Sequence, residues 1–146
     1  MKDEFHNHKV KHVYMQQAMG KAAYTSDVID LAGYDSCTFF VHLGDMVNTN
    51  GVADTLTISM LEGSSTSPVG AVAAEDMIAD ENYGLIMNGA SNALDDGVAK
   101  YAYIGGYRYI KFVATSGGTA GVITGPMSVV AMLGKAAHEC AADIEA

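Results

Sequence analysis

The feature that most limits what this chain can fold into is a period of two. In Thr38-Phe39-Phe40-Val41-His42-Leu43 the residues Phe39, Val41 and Leu43 fall on one side of an extended chain, and Leu56, Ile58 and Met60 alternate with Thr55, Thr57 and Ser59 in the same way. Successive side chains of a strand point to opposite faces, whereas a helix would repeat its apolar positions every three or four residues. Each segment therefore has one face for a core and one for solvent, and predicts a half-buried strand. With 146 residues, 49% hydrophobic, and only 2 prolines, the chain is long and apolar enough for one domain with its own core. Sixteen glycines and no Trp suit tight turns around a core of Val, Ile, Leu, Met, Phe and Tyr, an all-β composition.

Other segments extend the pattern. Tyr101-Ala102-Tyr103-Ile104 and Tyr107-Arg108-Tyr109-Ile110-Lys111-Phe112-Val113 flank Gly105-Gly106, which suits a hairpin turn or a glycine kink between strands. Residues 127–133 form the last expected strand, entered through Gly125-Pro126, where proline fits a strand start or edge. Turn signals such as Asn50-Gly51 and Ser116-Gly117-Gly118-Thr119 complete the signature of an antiparallel β-sandwich, expected here as jelly-roll-like. Residues 75–97 read as an excursion between strands, in which Glu75 to Glu81 suits the start of a helical turn and Tyr83 to Gly89 a short strand into a turn. No internal repeat is visible.

The ends differ from the middle. Residues 1–12 hold three of the 8 Lys+Arg and three of the 5 His, with Phe5 and Val10 as their sizeable apolar groups, so a flexible N-terminal arm is expected there. The sandwich domain is expected over residues 13–135 and a C-terminal tail over 136–146, whose eleven residues make a marginal helix without a partner.

The formal net charge of -9, with a single arginine, Arg108, argues against wrapping nucleic acid, which needs clustered cations to displace phosphate counterions. No apolar run approaches the roughly 20 residues of a membrane span, and no apolar leader opens the chain, so a soluble protein is expected. Cys37 and Cys140 make neither a metal spacing nor a disulfide framework and read as free thiols in a reducing cell.

Few residues carry chemistry. His6, His8 and His12 would be metal ligands if they were fixed, but an unfixed arm does not preorganise them, and a solvated arm is the simpler reading. His42 is near Asp45 without a nucleophile beside it, so a surface or interface histidine is expected rather than a general base. Glu75, Asp76, Asp80, Glu81, Asp95 and Asp96 do not have the spacing of a calcium loop and read as solvated charge. Gly105-Gly106 and Gly117-Gly118 lack the lysine and following helix of a phosphate loop. The expectation is a protein with no catalytic residues, cofactor or metal.

Tyrosines are more informative. Tyr101, Tyr103, Tyr107 and Tyr109 crowd one region and suit either a packed sandwich face or a protein interface. With His12 and Tyr14, at the junction of arm and domain, they are the candidate interface residues. Arg108 is expected to bury part of its stem and to pair its guanidinium with a carboxylate or backbone carbonyls.

Several segments together resemble a family of small structural proteins of tailed phages and prophages, typically encoded near head genes. They are residues 28–36, ending Asp30-Leu31-Ala32-Gly33-Tyr34-Asp35-Ser36; a strand ending in Leu43-Gly44; residues 56–64, ending Leu61-Glu62-Gly63-Ser64; residues 103–112; and Gly125-Pro126 through Gly134. The resemblance covers about residues 13–135 and is most specific in residues 103–112. It departs at Gly63-Ser64, where the family has an acidic pair, and at Lys135-Ala136-Ala137-His138, where it has a proline-rich end. It implies a virion protein made in the host cytoplasm. The expectation drawn from it is a capsid decoration or cement protein on the outer head surface, present in multiple copies or as a homo-oligomer, with the major capsid protein as partner. A neck or tail accessory protein is the alternative. Arg108-Tyr109-Ile110-Lys111 is also similar to the penultimate strand of galactose-binding-like jelly rolls, which keeps a glycan-binding surface module as a third reading.

Overall fold

The computed structural model describes residues 8–16, 23–48, 55–79, 85–88, 97–117 and 123–136. Their alternating segments form two antiparallel sheets that share one core. The first sheet orders β1 (Lys9–Gln16), β13 (Met127–Ala136), β4 (Tyr34–Leu43), β10 (Val98–Tyr103) and β8 (Met77–Ala79). The second is centred on β11 (Tyr109–Gly117) and β6 (Thr55–Gly63), which pair along their full lengths. Two short strands, β2 (Ala23–Thr25) and β3 (Ile29–Asp30), follow one another along the free side of β11. On the far side of β6 lie β7 (Gly70–Ala71) and β9 (Leu85–Asn88). A two-stranded ribbon joins β5 (Val47–Asn48) to β12 (Ile123–Thr124). Among the described residues no helix is long and apolar enough to cross a membrane.

The expected alternation is what builds the core. Phe39, Val41 and Leu43 of β4 and Leu56, Ile58 and Met60 of β6 are all buried, and Ile110, Phe112 and Ala114 of β11 join them. At the centre the rings of Phe39 and Phe112, from opposite sheets, stand 5.4 Å apart and tilted by 39°. Such pairs add about 0.5–1.5 kcal/mol beyond their buried area. Within the excursion β9 is the expected short strand, but the helical turn expected from Glu75 is only a 3-10 turn at Ala74–Asp76, and Met77–Ala79 instead form the strand β8, paired with β10. Asp80, Glu81, Asp95 and Asp96 lie outside the described residues.

Two further expectations are corrected. Residues 9–12 do not belong to an arm: β1 runs along β13 from Lys9 opposite Leu133 to Gln16 opposite Met127. Composition is a poor guide here because an edge strand is held largely by ladder hydrogen bonds and needs few apolar side chains of its own. Val13 supplies the burial, at a register shift between His12 and Tyr14. Residues 1–7 and 137–146 lie outside the described residues.

The second correction concerns Gly105-Gly106. Of the two readings of this site, a hairpin turn or a glycine kink between strands, the hairpin is overturned. β10 belongs to the first sheet and β11 to the second, so the glycines lie in a crossing. The groups that would have closed a hairpin are engaged elsewhere: Ile104 N–H donates to the Asp76 carbonyl at 2.9 Å, and the Arg108 carbonyl accepts from Leu31 N–H at 2.8 Å. The long strands β4, β6, β10, β11 and β13 alternate between sheets in the same way.

The two outer faces differ in chemistry. Register places Val10, Met132, Thr38, Ala102 and Ile78 in one row across the first sheet, with His12, Val130, Phe40 and Lys100 in the next. Alternation turns these side chains away from the core, and Val10, Val98 and Ile78 are each more than half exposed. On the second sheet the outward positions include Thr25, Thr57, Ser59, Lys111 and Thr115.

Candidate functional site

Three segments far apart in sequence converge at one end of the sandwich. The first is the turn after β3. Asp30 Oδ1 accepts Ala32 N–H at 2.9 Å, and Tyr34 N–H closes onto the Leu31 carbonyl at 2.8 Å. Gly33 sits at φ +84°, a backbone conformation open to glycine and strained for a residue with a Cβ. The second segment is the end of β6, which presents Glu62. The third is the crossing from Tyr103 to Arg108.

Two contacts fasten them. Arg108 meets Asp30 with a parallel fork, Nε to Oδ1 at 2.7 Å and Nη2 to Oδ2 at 2.8 Å. Its guanidinium carbon also lies 5.0 Å from the centre of the Tyr109 ring, a cation–π arrangement. The hydrogen bond from Arg108 holds the Asp30 carboxyl below its ordinary range. This pair is solvent exposed, with side-chain exposures of 56% and 43%. The expected carboxylate partner is therefore present, and the expected burial of the arginine is not. Arg108 lies just before β11, where the strand has not yet entered the sandwich.

Tyr103 makes the second contact. Its ring is fully buried, yet its hydroxyl reaches Glu62 Oε2 at 2.7 Å and accepts Tyr107 N–H at 3.0 Å. Burial, and then the hydrogen bond to Glu62, push the phenol well above its ordinary pKa. The crossing wraps so closely over this ring that a Cβ on Gly105 would stand 2.5 Å from the Tyr103 hydroxyl oxygen. Beside it opens a cleft of about 350 Å3, lined by residues that include Leu31, Tyr34, Asp35, Gly106, Tyr107 and Arg108.

The candidate interface residues thus separate. Tyr101 and Tyr103 face inward and are buried, Tyr109 is half-buried under Arg108, and Tyr107 is half exposed at the cleft. A glycan platform needs open ring faces, and two of the four rings are committed to the core. His12 and Tyr14 lie on β1, separated from β10 by β13 and β4, so the fold does not bring them to the tyrosines. His12 is exposed opposite Val130, and Tyr14 pairs with Val129.

His6 lies outside the described residues. His8 packs near Gly134, where an added Cβ would meet its Nδ1 at 3.2 Å. His8 and His12 are four residues apart on extended chain, about 13 Å, too far to share an ion. Among the described residues no three His, Cys, Asp or Glu side chains gather as a metal site. Cys37 is fully buried, and desolvation pushes its thiol up to about 12.

No protein-family model matches this chain, and no curated protein matches it. The partners of the corner, Asp30 and Glu62, were not singled out from sequence as site residues. One signal pointed toward them: a lone arginine with a planar fork calls for a carboxylate, and Asp30 begins a turn-forming Asp-Leu-Ala-Gly segment.

Proposed function

We propose that this chain is a structural protein of a phage particle, a decoration or cement protein that binds the outside of the head and ties neighbouring major capsid subunits together. The observation that carries the reading is the convergence just described. Three of the segments that resemble the phage family, residues 28–36, 56–64 and 103–112, are distant in sequence, yet they meet through Asp30 with Arg108 and Glu62 with Tyr103. The resemblance thus falls on side chains that support one another and not on scattered glycines. A jelly-roll-like wiring of the sandwich belongs to the same reading.

A cement protein gains from a rigid body with a fixed contact point, because ordering that happens before binding is not charged against affinity. The corner supplies one: Ile104 and Tyr107 are about half exposed on a crossing whose backbone is pinned from both sides. A net charge of -9 suits an outward position, away from packaged DNA.

The test is binding to heads of the encoding phage or prophage assembled without this chain. Purified protein should co-sediment with them, give density on the outer lattice by cryo-EM, and lose binding in Tyr107→Ala. Absence of co-sedimentation, or density confined to neck or tail, overturns the head assignment.

A further inference from the structure

We infer that the outer face of the five-stranded sheet is a self-association surface, occupied by the same face of a second copy. This goes beyond the virion reading and does not depend on it. Three observations select the occupant.

The first is charge. The chain carries 17 Asp+Glu, yet none of the outward-facing described residues of β1, β13, β4, β10 and β8 is acidic. Two copies of a protein at net -9 repel, and this face lets them approach without bringing carboxylates together. Its fixed charge is Lys100, in the row of Phe40 and Val130.

The second is size and shape. Five strands of this length give a face of about 600 Å2 in projection. Side-chain relief raises the accessible area toward the about 800 Å2 per partner of a standard interface. A twisted sheet packs well on another sheet of equal twist, at about 30°, and a second copy supplies one with an identical surface, as an isologous two-fold contact requires.

The third is that one competing route to self-association, pairing of β1 edge to edge, is obstructed. Lys9 and Lys11 occupy the inward-facing positions of this edge strand, with Lys11 Nζ 3.4 Å from the Val28 carbonyl, and the register shift follows at His12. Charges of this kind and bulges are how edge strands avoid adding further strands. The β1 edge is thus guarded against strand addition, while the outer face beside it carries, among the described residues, no comparable barrier to a second copy.

Sedimentation equilibrium of the full chain from 1 to 200 µM tests this, with Val98→Glu and Ile78→Glu as variants. Both positions are more than half exposed, so the fold should survive, and circular dichroism checks that it does. A dimer whose dissociation constant rises at least tenfold in either variant, and is unchanged in Val69→Glu outside the sheet face, is the expected result. Amine cross-linking of mixed isotopically labelled and unlabelled wild-type protein gives an answer independent of any variant. Inter-copy links should involve Lys100 and not Lys111, which lies on the other sheet. A monomer throughout the range, a dimer indifferent to both variants, or inter-copy links through Lys111 instead of Lys100 overturns the inference.

Discussion

Tyr103, the last residue of β10, donates its phenolic hydrogen to Glu62 of β6 across 2.7 Å, so a buried ring of one sheet is fastened to a carboxylate of the other. The same oxygen accepts Tyr107 N–H at 3.0 Å, which folds the crossing back over the ring. One hydroxyl thus links both sheets and the segment between them.

Tyr103→Phe keeps the ring and removes both bonds. The orphaned Tyr107 N–H and the loss of the Glu62 contact should lower stability by about 1–3 kcal/mol. Urea denaturation measures this, and an unchanged midpoint would mean that water replaces the hydroxyl at no cost.

Alkaline pH should destabilise the protein earlier than its surface groups require. Cys37 titrates near 9.0 when unfolded and is pushed up to about 12 by burial, and Tyr103 is raised above its ordinary 10.0. Between those limits the unfolded chain has released protons that the folded chain retains, so stability falls as pH rises. The fall begins near pH 9 from Cys37 and steepens near pH 10 from Tyr103, at up to about 1.4 kcal/mol per pH unit for each group. Denaturation from pH 8 to 11 should show it, with a shallower slope above pH 10 in Tyr103→Phe. A flat profile in the wild type contradicts it.

Arg108→Ala should shift the denaturation midpoint less than Tyr103→Phe does. Its fork onto Asp30 is well formed but exposed on both sides, where solvent and salt weaken an ion pair. The difference between Arg108→Ala and wild type should shrink further in 0.5 M NaCl. A larger loss than in Tyr103→Phe, or one insensitive to salt, would show that the guanidinium is needed for the fold.

Deleting residues 1–12 should destabilise the domain, because it removes the half of β1 that pairs Lys9 through His12 with Leu133 through Val130. Truncation after residue 7 preserves that ladder and serves as the comparison. Equal melting temperatures for the two truncated proteins would place residues 9–12 outside the cooperative unit.

Much of the sandwich was legible because alternation is a local signal. Phe39-Phe40-Val41 and Leu56-Thr57-Ile58 announce their inward faces without reference to any partner. What escaped was non-local. Nothing in Lys9-Val10-Lys11-His12 announces an edge strand, since its hold on the sheet comes from β13, more than a hundred residues away. The hairpin reading of Gly105-Gly106 failed for a related reason. Two glycines between strands permit a turn, but Asp76 and Leu31 take up the backbone groups of Ile104 and Arg108, and neither could be paired with them from sequence. The tyrosine cluster was visible as a cluster, while its division into buried and exposed rings depended on which strands face inward.

The two central glycines of the crossing should respond differently to the same change. At Gly105 an added Cβ would stand 2.5 Å from the Tyr103 hydroxyl oxygen and 2.6 Å from two ring carbons; at Gly106 it would meet nothing within 4 Å. The Tyr103 ring cannot yield easily, because it is fully buried and its hydroxyl is tied to Glu62. Relieving the clash means moving the crossing, which breaks the Tyr107 hydrogen bond, or displacing the ring from the core. Overpacking of this kind costs about 1–3 kcal/mol. Gly106→Ala, by contrast, should be neutral or slightly stabilising, since it restricts the unfolded chain at a position with open space. Melting temperatures of the two single variants decide the matter: a lower value for Gly105→Ala alone is expected, and equal values would mean that the crossing does not press on Tyr103.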